Sequence, residues 1–298
     1  MLICSYPLVL GKNRIHGCGQ CLSCRVNQSR KWSTRISLEA AISDNVVFVT
    51  LTYNDENNPG RLDKSAVQKF LKRLRKRHSF RYYACGEYGE NYGRPHYHVL
   101  LFYRDTDGDC PSNADIALAV SKSWSLGFVT VEPAKSSAAH RYVSKYVTKK
   151  ATKEWDKDDP EWHLSSMHPG LGAEAVSGLC ESLLFYNYFD GNFDVPSFIE
   201  LGGKKLPLDS YIRTKMRTYI LDTYGIVCDP SEGVRDFAMK FEELWEDYKM
   251  ALRAKEKLGA DRPLFGIYAN FGRHISDAHI GKRVAFEKRL SMKRKSGL

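Results

Sequence analysis

The sequence predicts an α+β fold, with an antiparallel sheet of split β-α-β type, helices against one face, and a mostly helical C-terminal extension. Three observations carry this expectation. Short β-branched and aromatic runs alternate with segments of helical spacing in the order β-α-β-β-α-β-α over residues 46–153. A Gly-rich stretch from Gly86 to Arg94 falls in the middle of that order, where a hairpin would turn. Past Lys153 the chain becomes acidic (EWDKDDPE, 154–161) and then mixes Gly, Pro and aromatics. That change suggests a Cys-rich segment at 1–30, a core at 31–153 and a C-terminal region at 154–298.

Residues 1–30 read as loop, and helical spacing begins with Trp32, Ile36, Leu38 and Ile42. Val46–Tyr53 (VVFVTLTY) is a strand ended by the turn residues NDENNPG. Asp63–Arg77 places Val67, Phe70, Leu71 and Leu74 on one helical stripe and Lys69, Lys72, Arg73, Arg75, Lys76 and Arg77 on the other face. Phe80–Cys85 and His96–Tyr103 are strands on either side of the Gly-rich turn. Ser112–Ser125 is a helix followed by Gly127, and Phe128–Val131 is a short strand. Ser136–Lys153 and Ser231–Leu258 have helical spacing, the latter with Val234, Phe237, Phe241, Leu244, Trp245, Tyr248 and Leu252 in its stripe.

Charge and hydropathy limit the function classes. The chain has 298 residues, 43% of them hydrophobic, which excludes wholesale disorder. With 45 Lys+Arg against 35 Asp+Glu the formal net charge is +10, which favours polyanionic partners. No apolar run is long enough to span a bilayer and the N-terminus lacks a secretory pattern, so cytoplasm is the expected compartment. Seven Lys or Arg crowd the last eighteen residues, a stretch suited to solvent or to phosphate.

Several residue groups carry possible chemistry. In RPHYHVLLF, strand alternation sends His96 and His98 out of the same face, where both imidazoles can hold one cation. A carboxylate would complete the set, and spacing leaves Glu87 and Glu90 as competing candidates. On the helix around 141–150, Tyr146 lies about 40° from Tyr142, with Lys149 and Lys145 about 20° and 60° to the other side. Two phenols and two ammonium groups share that arc, and clustered cations with a divalent metal would stabilise a nucleophilic phenolate. The alternating strand FVTLTY (Phe48–Tyr53) reads as a central core strand with little chemistry of its own. Cys18-x2-Cys21-x2-Cys24 is a metal pattern, and Cys4 would complete a tetrahedral zinc site, with His16 also upstream. The remaining cysteines, Cys85, Cys110, Cys180 and Cys228, are scattered and suit a core.

In this order, FVTLTY, GEYG…RPHYHVLLF and YVSKY resemble the three motifs of rolling-circle replication initiators of the HUH endonuclease superfamily. The paired tyrosines resemble its two-tyrosine branch. CGQCLSCR, CGEYGENYGRPHYH and MHPGLG resemble the replication initiators of gokushovirus-like microviruses. The resemblance implies a ferredoxin/RRM-like HUH nicking domain over 31–153. It implies Mg²⁺ or Mn²⁺ on His96, His98 and Glu87, attack by Tyr142 or Tyr146 on single-stranded origin DNA, and Lys145 as charge stabiliser or proton shuttle. It further implies a 5′-phosphotyrosyl link, rejoining of ends, and unwinding and synthesis by a host helicase and DNA polymerase, in the cytoplasm of a bacterial host. Two other readings fit the residues: a zinc-stabilised, non-catalytic nucleic-acid-binding protein, and an HUH transposase or relaxase.

Overall fold

The computed structural model describes Cys4, Phe189 and residues 6–9, 15–19, 21–89, 92–105, 110–134, 162–185, 194–201 and 204–229. The expected helices at 136–153 and 231–258 and the basic tail lie outside these residues. The chain divides into two compact units, Met1–Glu174 and Ala175–Leu298.

The first unit is mixed α+β. Its elements are β1 (Leu8–Val9), β2 (Ile15–His16), α1 (Leu22–Ala41), β3 (Asn45–Tyr53), α2 (Lys64–Leu74), β4 (Arg81–Tyr88), β5 (Pro95–Tyr103), α3 (Asn113–Ser123), β6 (Gly127–Pro133) and β7 (His163–Ser165). β1 and β2 pair with each other, and the other five strands form one sheet in the order β6-β3-β5-β4-β7, with every neighbouring pair antiparallel. It follows that β3 and β4 point the same way with β5 between them, and β5 and β6 do so with β3 between them. The fifth strand, β7, comes from beyond the acidic stretch at 154–161.

Alternation sorts the two faces of the sheet. Val47, Val49, Leu51, Tyr97, Val99 and Leu101 meet Val67, Phe70, Leu71 and Leu74 of α2 and Ile116 and Val120 of α3 in one apolar layer. Burying each of these side chains contributes on the order of 1.5–3 kcal/mol. The α2 start is tied to β5: Asp63 caps the Ser65 N–H at 2.8 Å, while its own N–H donates to the Tyr97 hydroxyl at 2.7 Å. On the other face, Val46, Phe48, Leu100 and Phe102 meet Ile36 and Ala40 of α1. α2 therefore lies on the face opposite His96 and His98, so its basic stripe does not border them. Two of its cations are also engaged locally: Arg73 donates to the Ser123 carbonyl, and Arg75 lies over the rings of Phe80 and Tyr82.

A buried acid braces the α1 face. Glu39, fully buried, accepts from Arg81 Nε and Arg104 Nη2, each at 2.7 Å, and from the Gly172 N–H at 2.7 Å. Arg81 also donates to the Pro169 carbonyl, so the MHPGLG segment is bound to α1 and β4 through these contacts. Gly172 has φ +78°, and a Cβ there would meet the Arg35 carbonyl oxygen at 3.0 Å.

Two elements differ from the sequence expectation. Helix α1 begins at Leu22, ten residues before Trp32, because its first half buries small hydroxyl residues instead of an apolar stripe. Ser33 and Thr34 donate back to the carbonyls of Ser29 and Arg30, each at 3.0 Å. Strand β4 continues through Gly86 and Glu87 to Tyr88, where the sequence suggests a turn. Gly86 is small there because Trp162 and Leu62 crowd it: a Cβ would lie 3.0 Å from Leu62 and 3.2 Å from Trp162.

In the second unit, α4 (Val176–Phe185) and α5 (Ser210–Tyr224) stand on either side in sequence of a hairpin, β8 (Phe198–Leu201) with β9 (Lys204–Pro207). α5 is capped by Asp209, accepting from the Ile212 N–H, and closed by Gly225 at φ +67°. Asp194 is 1% exposed and accepts from Arg213 at 2.6 Å and from Arg217 at 2.7 Å.

Candidate metal centre on the open face of the sheet

The centre follows from strand register. On β5, His96 and His98 emerge on the α1 face, beyond the part of that face where Ile36 and Ala40 pack. β4 pairs Glu87 with His96 and Cys85 with His98, so the carboxylate arrives from the neighbouring strand on the same face. Glu87 Oε1 lies 2.9 Å from His96 Nε2 and 3.0 Å from His98 Nε2. One donor atom from each of the three residues lies within 4.8 Å of the other two. Of the two carboxylates that spacing left open, Glu87 stands with the histidines, and Glu90 lies outside the described residues.

The outer nitrogens are engaged too. His96 Nδ1 lies 3.2 Å from the Arg94 carbonyl oxygen, which can only accept, so Nδ1 carries the proton. Its Nε2 then offers either a lone pair or the second proton of an imidazolium. His98 Nδ1 lies 3.2 Å from Thr50 Oγ1, and its ring stacks on Phe48 at 5.1 Å between centroids. Burial pushes the Glu87 carboxyl up, but the hydrogen bonds and charges of the two imidazoles outweigh it and hold it well below the usual carboxylate range. An anionic oxygen and two imidazoles with bonded outer nitrogens form a donor set suited to a divalent cation.

From the opposite face the strand is held by Tyr97, fully buried, whose hydroxyl lies 2.9 Å from that of Tyr53 and whose ring stacks on Trp162. The histidines thus stand on a backbone fixed from beneath. Beside them, β6 presents Phe128, 68% exposed, and in register Phe128 sits opposite Thr52, which sits opposite His96. A cleft next to His96 is lined by Thr52, Gly89, Tyr92 and Arg94.

Sequence reasoning missed three contributors. FVTLTY reads as inert, yet Phe48 and Thr50 touch His98; the alternation that pairs the histidines would have placed them there. Arg94 contributes through its carbonyl, for which a side-chain motif carries no signal. Tyr142, Tyr146 and Lys145 lie outside the described residues. The second donor group, Cys4, Cys18, Cys21 and Cys24, also comes together, with its sulfurs within 4.8 Å of one another.

Comparison with known proteins places the centre within a matched segment. Residues 46–151 match the family described by its replication-associated protein ORF2. Replication-associated protein ORF2 of Spiroplasma virus 4 is 35% identical over 156 residues, covering 45% of this chain and 48% of that protein. Replication-associated protein VP4 of Bdellovibrio phage phiMH2K is 31% identical over 191 residues, 57% of this chain and 60% of the relative. Replication-associated protein ORF4 of Chlamydia phage 1 is 28% identical over 157 residues, 45% of this chain and 38% of the relative. The matched span is thus about half the length of these relatives. No described helix is long and apolar enough to cross a membrane.

Proposed function

Because residues 46–151 match the replication-associated protein family, we propose that this chain is a phage replication initiator that nicks and rejoins single-stranded origin DNA through a tyrosine nucleophile. The observation that carries this reading is the convergence of Glu87, His96 and His98 on the open face of the sheet. The strand order supports it, since β3-α2-β4 and β5-α3-β6 each join parallel strands with another strand inserted between them, the split β-α-β plan of an HUH core.

Glu87, His96 and His98 would hold Mn²⁺ or Mg²⁺, the two imidazoles favouring the softer Mn²⁺. A cation bound there supplies Lewis-acid polarisation of the scissile phosphodiester. Tyr142 or Tyr146 attacks phosphorus through its phenolic oxygen. The new Tyr–O–P bond forms as the P–O3′ bond breaks, and the leaving 3′ oxygen takes up a proton to give a free 3′-OH. Lys145 stabilises the phenolate or delivers that proton. The phosphodiester energy persists in the tyrosyl link, so a later 3′-OH can reseal the strand without ATP. The second tyrosine allows a regenerated origin to be cut while the first end is still attached. Exposed Phe128, two strands from His96, offers a face on which a base can stack. Unwinding and synthesis fall to a host helicase and DNA polymerase, in the cytoplasm of the infected cell.

The test is a single-stranded origin oligonucleotide incubated with the full chain and Mn²⁺, with adducts mapped by mass spectrometry. Tyr142→Phe and Tyr146→Phe should each retain some cleavage, whereas the double variant forms no adduct. Adduct formation by the double variant, or undiminished cleavage by His98→Ala, refutes the mechanism.

A further inference from the structure

The N-terminal cysteines stand apart from the nicking reading: none of them lies on the five-stranded sheet, and the proposed chemistry does not use them. Cys4 lies ahead of the β1–β2 pair, Cys18 follows β2, Cys21 is the N-cap of α1, and Cys24 is in its first turn. Their sulfurs nevertheless gather within 4.8 Å of one another, and Cys4 Sγ and Cys21 Sγ are 3.8 Å apart. A disulfide requires about 2.05 Å, so these sulfurs are grouped without being joined.

The backbone around them is arranged for sulfur anions. Cys4 Sγ accepts from the Cys18 N–H at 3.2 Å and from the Tyr6 N–H at 3.4 Å. Cys18 Sγ accepts from the Cys21 N–H at 3.3 Å, closing the first Cys-x-x-Cys turn, and the Gly19 N–H reaches Cys24. Such bonds are weak to a neutral thiol and strong to a thiolate. Gly17 leaves room for the group, since a Cβ there would lie 2.9 Å from Cys24 Sγ. Cys24 also sits at the N-terminus of a 20-residue helix, where partial positive charge favours an anion.

Four thiolates at this separation repel one another unless a cation lies among them. Four sulfur donors and no oxygen or nitrogen select a soft or borderline ion in tetrahedral geometry. We propose that Cys4, Cys18, Cys21 and Cys24 bind a structural Zn²⁺ that clips the β1–β2 pair to the start of α1. On binding, four S–H bonds give way to four Zn–S bonds and the protons pass to solvent. Four sulfur ligands close the coordination sphere, so the site holds no water and performs no hydrolysis. Its effect is mechanical. Cys24 lies about 18 Å of helix rise before Ile36, which packs under Phe48 and Phe102, so the clip fixes one end of the rod whose other end covers the sheet.

The experiment is metal analysis of the purified full chain, wild type and the variants Cys21→Ser, Cys24→Ser and His98→Ala. About one zinc ion per chain is expected in wild type and in His98→Ala, with loss in both cysteine variants. Cobalt substitution of the wild type keeps the test decisive if those variants fail to fold. Sulfur-to-cobalt charge transfer with the intense visible bands of a tetrahedral site is the expected result. Retention of zinc in the cysteine variants with loss in His98→Ala overturns the proposal. Iron in place of zinc, or a metal-free wild type with these cysteines in disulfides, overturns it as well. Loss of nicking with zinc retained would count against the tyrosine mechanism and leave this site standing.

Discussion

Replacing Thr50 with Val isolates one hydroxyl beside the proposed cation site. Val keeps the shape and β-branching, so β3 should be undisturbed. The loss falls on His98, which is 7% exposed and has Thr50 Oγ1 3.2 Å from its Nδ1. To bind a cation through Nε2, the ring must carry its proton on Nδ1, and in the variant that buried N–H has no hydroxyl to meet. Without a cation the ring can take the other tautomer, with Nε2–H directed at Glu87, so the free protein avoids much of the cost. A buried unpaired donor costs about 1–3 kcal/mol. With part of that also borne by the free protein, about 1–2 kcal/mol should appear as weakened Mn²⁺ affinity, roughly 5- to 30-fold. Calorimetric titration of the full chain with Mn²⁺, without DNA, reads this directly, and Thr50→Ser should restore most of it. Wild-type affinity in Thr50→Val, with His98→Ala unable to bind, would show that the hydroxyl does not set the tautomer.

Other expectations concern the scaffold. Glu39→Gln leaves two guanidinium groups facing an amide at a fully buried position, and urea unfolding should show a loss of about 3–5 kcal/mol. Gly172→Ala must hold a non-glycine residue at φ +78° against the Arg35 carbonyl and should lose about 2–4 kcal/mol. Gly60→Ala, at φ +70° but with open space around it, should lose no more than about 1–2 kcal/mol in the same assay. Burial pushes the Asp194 carboxyl up, but Arg217, the Val195 N–H and Arg213 outweigh it and hold its pKa below the ordinary value of 3.8. Its stabilisation is therefore complete above about pH 4 and is lost as pH falls through the folded value. Asp194→Asn should be less stable than wild type at pH 7, with the gap in urea midpoint closing below pH 4.

Where side-chain period and burial agree, the sequence is readable. β5 alternates without a break from His96 to Tyr103, so the shared face of the histidines follows from counting. The α2 stripe of Val67, Phe70, Leu71 and Leu74 is equally direct. The early turns of α1 are not, because Ser29, Ser33 and Thr34 are buried there and no apolar period marks the helix. Gly86 misleads for a different reason. Glycine usually marks a turn, but here it makes room for Trp162, which comes from beyond the acidic stretch and is invisible to any local window. Glu87 thus reads as part of a loop, although its pairing with His96 is what brings it to the centre. In the second unit, α4 is apolar almost all round, so it has no stripe to detect.

Placing both histidines in the middle strand of the sheet also has a consequence for folding. A one-residue slip of β5 against β3 and β4 would turn His96 and His98 toward Phe70 and Trp124 and expose Tyr97, Val99 and Leu101. Two imidazoles would then lose water without a carboxylate to meet them, and three large apolar side chains would lose their burial. The penalties fall together on the same misfolded state, so the residues that gather the cation also discriminate against mispaired sheets before any cation or DNA is bound. Selection for that centre and selection for a unique strand alignment would therefore act on the same few positions.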